Sequence, residues 1–490
     1  MNRFLPLALR ACAALCLSWP AVAPAKLLPT DESPVVSQYL QQAKPSQQPA
    51  ELLSSVVEDG VEVRMYRMVS QQWPGAGSGM TSNAPLWEQQ YKLALPMNRK
   101  PGTPVLLYVN GGSNHAQPPK LPDRLPAEAL ARDLGVPVAE LYFVPNQELQ
   151  LDEQPTGRED ALVAYTWRKT VDQPQAERFS SLHLPMTQAV SATMDALQRS
   201  LPGSERFVVA GASKRGWATW LAGLNDKRVS AIVPVVADFW NVRDNFTHVY
   251  NSYGQQWPVA LRDYQRNGIT EDVLQGGAGL DALLRFEDVV NYRASMARLS
   301  KYMISASGDD FAVPDSAWSY LPAFTGPTQL RYLPNQSHYV KGDQIGKALR
   351  QFMRRWLAGK PMPQAQVDAD PVSGRLRVSV TGREAGKATL CWRIIPRAGI
   401  SVSIPASVIS PSQLRASAAA AVVASSSSRT LRCRAGRLTS LSSRGRISLG
   451  ARRRWCGRTP IPTASRCRLA RRVCNWGAEG AWSGGLTACA

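Results

Sequence analysis

Cysteine is scarce where a fold would need it. Of the eight cysteines in 490 residues, Cys12 and Cys16 fall within the first 25. Cys433, Cys456, Cys467, Cys474 and Cys489 fall beyond residue 395, which leaves Cys391 alone in the body of the chain. A body with one thiol is not held by internal disulfides, and the spacings in the tail match no zinc site. Also missing are a His-x-x-x-His pair, paired cysteines, clustered carboxylates and a phosphate-binding glycine loop. Metal sites and nucleotide binding are therefore without a motif, and no cofactor is expected. After the first 25 residues no apolar run is long enough for a transmembrane helix. Acids are few, 37 against 57 basic residues, for a formal charge of +20. That excess is local: residues 396–490 hold 16 Arg, no Lys and the single acid Glu479, leaving +5 on the preceding 395 residues. Phosphate binding needs clustered basic groups, so the body is not expected to bind nucleic acid.

What is present begins with a leader pattern. Met-Asn-Arg is followed by an apolar run from Phe4 to Leu17, interrupted by Arg10, and then by Ala21-Val-Ala-Pro-Ala25. A charged start, a short hydrophobic segment and small residues at a cleavage site predict a signal peptide over 1–25 and export to the periplasm or beyond. With 44% hydrophobic residues, the remainder can bury a large core. Within a main domain expected over 35–360, β-rich runs alternate with helical segments from about Glu62 to Lys360, the pattern of a mostly parallel sheet covered on both faces. Strands are predicted at 61–69, 87–95, 105–109, 140–144, 206–210, 231–236, 302–306 and 329–333, and helices at 126–134, 185–200, 214–224, 316–322 and 344–357. A stretch of about 241–297, with little strand character and several aromatic residues, predicts a helical cap inserted over the strand ends. Residues 361–394 begin a β-rich appendix. Beyond 395 the Arg-, Ser- and Ala-rich sequence has no sustained period, and reads as a disordered basic tail or an out-of-frame translation.

A serine hydroxyl becomes a useful nucleophile only when a base takes its proton, a carboxylate orients the base and N–H donors hold the oxyanion. The predicted strand at 206–210 runs into Gly211-Ala-Ser213-Lys-Arg-Gly216 and then directly into a helix. Strand, tight turn and helix with serine at the turn is the context of a nucleophile elbow. The second glycine stands at three residues after Ser213, where such elbows have it at two, and Arg215 fills the usual place. In chain order an acid and then a histidine should follow. Asp309 and Asp310 lie after the 302–306 strand, and His338 lies after the 329–333 strand, one of only four histidines. Between the two aspartates the sequence does not choose. The backbone N–H of Lys214 is one candidate oxyanion donor, and Gly111 and Gly112, after the 105–109 strand, are the others. Trp217, Trp240, Tyr253 and Trp257 are candidates for the substrate pocket, and His115 for substrate binding. His183 and His248 read as structural.

Gly211-Ala-Ser-Lys-Arg-Gly-Trp217, the Tyr-Val-Asn-Gly-Gly-Ser-Asn run ending at Asn114, the segment from Tyr253 to Tyr264, and Gly308-Asp-Asp-Phe-Ala-Val-Pro-Asp315 together resemble the PhoP/PhoQ-activated pathogenicity-related protein family. The similarity covers roughly residues 35 to 394. It implies an exported bacterial protein of α/β-hydrolase fold, tied by its family name to a system sensing envelope stress and antimicrobial peptides, and it implies no defined substrate. Two functions follow. One is a Ser-His-Asp hydrolase of an ester, amide or peptide bond in a small molecule or peptide, with a possible envelope association and a place in virulence or peptide resistance. The other is an inactive protein of the same fold that binds or signals.

Overall fold

The computed structural model describes residues 32–75 and 78–369, and the backbone segments 376–381, 388–393, 419–424, 431–433, 437–441 and 447–450. The predicted leader, and the tail apart from these last four segments, lie outside the described residues. The main sheet has nine strands: β1 (Glu51–Glu58), β2 (Val61–Gln72), β3 (Leu86–Pro96), β4 (Val105–Val109), β5 (Val138–Tyr142), β6 (Phe207–Ala212), β7 (Val229–Val235), β8 (Ser300–Ala306) and β9 (Thr328–Leu333). Their order is β1-β2-β3-β5-β4-β6-β7-β8-β9. The first three strands and the β3–β5 pair are antiparallel, and β5 through β9 run parallel. This is the α/β-hydrolase fold.

Both faces of the sheet are buried, which is why its strands read as continuous apolar runs rather than alternating ones. All five residues of β4, Val-Leu-Leu-Tyr-Val, are buried. Val105, Leu107 and Val109 enter one core and Leu106 and Tyr108 the other, as the two-residue pleat requires. The first core is covered by α1 (Val35–Ala43), α3 (Asp160–Asp172), α4 (His183–Ser200) and α5 (Lys214–Asn225), the second by α2 (Ala127–Leu134) and α11 (Gly342–Leu357). Between β7 and β8 the cap consists of α6 (Val242–Ser252), α7 (Arg262–Arg266), α8 (Ile269–Gln275), α9 (Ala278–Glu287) and α10 (Arg293–Ala297), with short 3-10 turns between them. Among the described residues no helix is long and apolar enough to cross a membrane.

Two predicted elements differ. The helix expected at 316–322 is a pair of 3-10 turns, Ser316–Ser319 and Leu321–Ala323, because Pro322 can neither donate nor sit in an α-helix interior. The strand expected at 140–144 ends at Tyr142, where Phe143 takes a positive φ of 64°. Past the main sheet, Gln364–Ala369 pairs antiparallel with Leu376–Thr381, and Ala388–Arg393 with Ala419–Ala424.

Candidate active site

Parallel strands bring their carboxyl ends to one edge, where ligands of open α/β sheets bind. The ends of β6, β8 and β9 there carry Ser213, Asp309 and His338. Ser213 caps α5 in a backbone conformation of φ 58°, ψ −128°, a strain of about 1–3 kcal/mol for a residue with a side chain. It is held by its own N–H on Val235 O (2.8 Å) and by Trp217 N–H on Ser213 O (3.0 Å). The turn also needs strand and helix in close contact. A Cβ at Gly211 would lie 2.7 Å from Arg215 O, and one at Gly216 would lie 2.6 Å from the Ala237 Cβ. Contact with Ala237 therefore falls on residue 216, and residue 215 is left room for a side chain, which explains the displaced second glycine.

Ser213 Oγ stands 2.8 Å from His338 Nε2. On the other side of the ring, Nδ1 lies 3.0 and 3.1 Å from the two oxygens of Asp309. With Asp309 ionised, Nδ1 carries the proton and Nε2 has a lone pair for the serine O–H. Both ring nitrogens are thus engaged, and the acid on the imidazole is Asp309 rather than Asp310. The Phe311 N–H donates to Asp309 Oδ1 (2.9 Å), and the Phe311 ring lies 4.5 Å from the imidazole. Burial works against a charge on His338, but the Asp309 carboxylate prevails and holds its pKa above the ordinary 6.5. A second buried acid, Asp238, accepts from Ser305 Oγ (2.9 Å) and Tyr332 O–H (3.3 Å). Burial first, and the nearby Asp309 charge, push its carboxyl up to about 8, which favours the protonated form.

The candidate oxyanion donors fare differently. Lys214 opens α5, where the first N–H groups have no partner inside the helix and point at the helix entrance. Gly111 is a correction: its N–H is taken by Asn110 Oδ1 at 2.8 Å. A Cβ at Gly111 would meet the Arg215 guanidinium at 2.5 Å, and one at Gly112 (φ 103°) would meet Lys120 O at 2.7 Å. The two glycines thus make room for neighbouring groups, which gives this loop a packing reason for lacking side chains.

Beside Ser213 lies a small pocket, partly open to solvent. The rings of Trp217, Phe239, Phe246, Tyr264 and Phe311 line it, with Asp160, His183 and Lys214 as its polar members. Of the four predicted pocket residues only Trp217 is in this lining. Trp240 is fully buried behind it, 4.9 Å from the Trp217 ring and 5.6 Å from Trp220. Tyr253 is part of the same core, and Trp257 packs on Tyr250 at 4.8 Å. Trp240 and Tyr253 build the core behind the wall and half-buried Trp257 packs against it, while the cap reaches the pocket through Phe246 and Tyr264. His115 is exposed and is not in this lining. His248 pairs with Asp315 at 3.0 Å.

Sequence reasoning missed the ion cluster under the elbow. Lys214 Nζ contacts Glu159 (2.8 Å) and Asp160 (3.1 Å), and Arg215 grips both oxygens of Glu159 at 2.7 and 2.6 Å. Burial disfavours charge on both cations, yet the two acids hold their pKa values above the ordinary ones. Two buried cations at a helix start demand anions, and the Glu159-Asp160 pair at the start of α3 was the signal available. Removing one partner leaves buried charge unpaired, so Glu159→Gln should destabilise the protein by about 3 kcal/mol, near the lower end for such pairs because Glu159 is 33% exposed. A denaturant melt checks this, and an unchanged midpoint would mean the cluster carries no stability.

An α/β-hydrolase fold with serine, imidazole and carboxylate joined in one hydrogen-bonded line at its strand ends is the class that these observations define. The family model of the PhoPQ-activated pathogenicity-related protein matches residues 36–397, and the chain belongs to that family. It is 36% identical over 311 residues to the autocrine proliferation repressor protein A of Dictyostelium discoideum, a match that covers 61% of this chain and 60% of that protein. Among solved structures, an acetyl xylan esterase of Paenibacillus sp. R4 is similar at 16% identity, with a TM-score of 0.46, over 68% of this chain and 96% of that one. Acetyl xylan esterase 1 of Thermoanaerobacterium sp. is similar at 15% identity and a TM-score of 0.44, over 66% and 93%.

Proposed function

We propose that this protein is an exported serine hydrolase that cleaves an ester, amide or peptide bond through Ser213, His338 and Asp309. The observation that carries the reading is the 2.8 Å contact of Ser213 Oγ with an imidazole whose other nitrogen is held on a carboxylate. Ser213 Oγ attacks the carbonyl carbon while its proton passes to His338 Nε2, and Asp309 stabilises the imidazolium. The N–H of Lys214 faces the developing oxyanion, supported by the positive end of α5. His338 then returns the proton to the leaving alcohol or amine, and water repeats the sequence to release the acid. The aromatic pocket receives an apolar or aromatic part of the substrate. Export rests on the leader pattern of the first 25 residues.

Purified protein should turn over 4-nitrophenyl acetate and lose that activity on treatment with a fluorophosphonate. Absence of both turnover and inactivation would sink the reading. The pH dependence has a definite sign. The base must be neutral to accept a proton, so kcat/KM falls as pH drops through the His338 pKa, which stands above 6.5. A pH–rate profile with its acid limb centred below 6.5 would contradict this assignment. A second reading, a secreted signal with the same fold, is favoured by the name of the Dictyostelium relative. It predicts that a Ser213→Ala protein keeps its biological effect.

A further inference from the structure

His183 has no motif around it in the sequence, yet it lies in the pocket wall together with Ser213. It opens α4 and is 1% exposed. Its ring stacks on Trp217 at 4.6 Å and 11°, and meets Trp167 edge-on at 6.0 Å. Glu287, fully buried at the end of the cap helix α9, holds this wall together. One carboxylate oxygen is 3.0 Å from His183 Nδ1, the other accepts the Ser181 hydroxyl, and its backbone carbonyl accepts Trp217 Nε1–H at 2.9 Å. The remaining ring nitrogen, Nε2, is buried and has no hydrogen-bond partner among the described residues.

The other polar groups of the pocket have partners. Ser213 is on His338, Lys214 is on Glu159 and Asp160, and Asp160 also accepts from Tyr264 O–H at 3.2 Å. A carboxylate at Nδ1 fixes the proton there, which makes Nε2 a lone-pair acceptor. An acceptor fixed by its second neighbour, stacked on one indole and edge-on to another, is suited to reading one donor on a ligand. We infer that His183 is a specificity-determining residue, whose Nε2 accepts a hydrogen bond from an O–H or N–H on the aromatic or apolar group that enters this pocket. The inference deepens the hydrolase reading by naming a substrate class, a ring or chain bearing a hydrogen-bond donor. It depends on that reading only for the reaction that follows binding.

Phenol and fluorobenzene, which are nearly the same size and differ in the donor, test it by calorimetric titration of the wild-type protein. Phenol should bind about fivefold to tenfold more tightly, the worth of one net hydrogen bond. His183→Phe should abolish the difference. Glu287→Gln supplies a second arm: an amide N–H at Nδ1 moves the ring proton to Nε2, so phenol should lose its advantage and benzaldehyde, an acceptor, should gain one. A merely structural histidine would not reverse the preference. Equal binding of phenol and fluorobenzene by the wild-type protein overturns the inference, as does a phenol preference that survives in folded His183→Phe. Ser213→Ala separates the two claims, since it should keep the phenol preference whether or not Ser213 proves to be the nucleophile.

Discussion

Ser213→Ala is expected to lower kcat/KM for a 4-nitrophenyl ester by at least about 10,000-fold, with thermal stability little changed. The size follows from the role: without a nucleophile the covalent route closes, and what remains is binding plus oxyanion stabilisation acting on water. Stability should hold because alanine retains the backbone and gives up only the hydroxyl's hydrogen bond with His338. The φ of 58° at this position is no easier for alanine than for serine, so no gain in stability from relieved strain is expected. Steady-state kinetics beside a thermal melt distinguish this from simple unfolding. A loss of less than tenfold in a folded protein would take the chemistry away from Ser213.

Asp309→Asn should be nearly as damaging, lowering kcat by about 10,000-fold, whereas Asp310→Asn should change it by no more than about threefold. An asparagine amide can donate to Nδ1 of His338, which drives the ring proton to Nε2. That nitrogen then faces Ser213 with an N–H instead of a lone pair, and the serine proton has nowhere to go. The same substitution removes the carboxylate that raises the His338 pKa, so the acid limb of any residual activity should move to lower pH. Equal losses for the two variants would mean that the hydrogen bonds to Asp309 at 3.0 and 3.1 Å do not describe the working enzyme.

The sequence showed most of the frame and half of the site. Strands such as Val105–Val109 were legible because an apolar run of five bounded by turns fits a strand buried on both faces. Ser213 and His338 were legible because each follows a recognisable strand at the place the fold requires. The choice between Asp309 and Asp310 was not legible: adjacent residues at a strand end point in different directions, and only the turn geometry selects one. Helix α3 escaped because seven of its 13 residues, among them Thr166, Trp167, Thr170 and Val171, are buried, which blurs the one-sided period of a surface helix. With it went Glu159 and Asp160, the counter-ions of Lys214 and Arg215. The pocket was misjudged for a related reason. Trp240 and Tyr253 are as aromatic as Phe239 and Tyr264, and their place behind the wall rather than on it is set by packing between cap and sheet, which no local pattern encodes.

Mass spectrometry of the fluorophosphonate-treated protein bears most directly on whether these three side chains form a working catalytic unit. A working triad gives a single adduct, carried by the peptide that contains Ser213 and lost from the Ser213→Ala protein. An adduct on another residue, or one that persists in that variant, would contradict it.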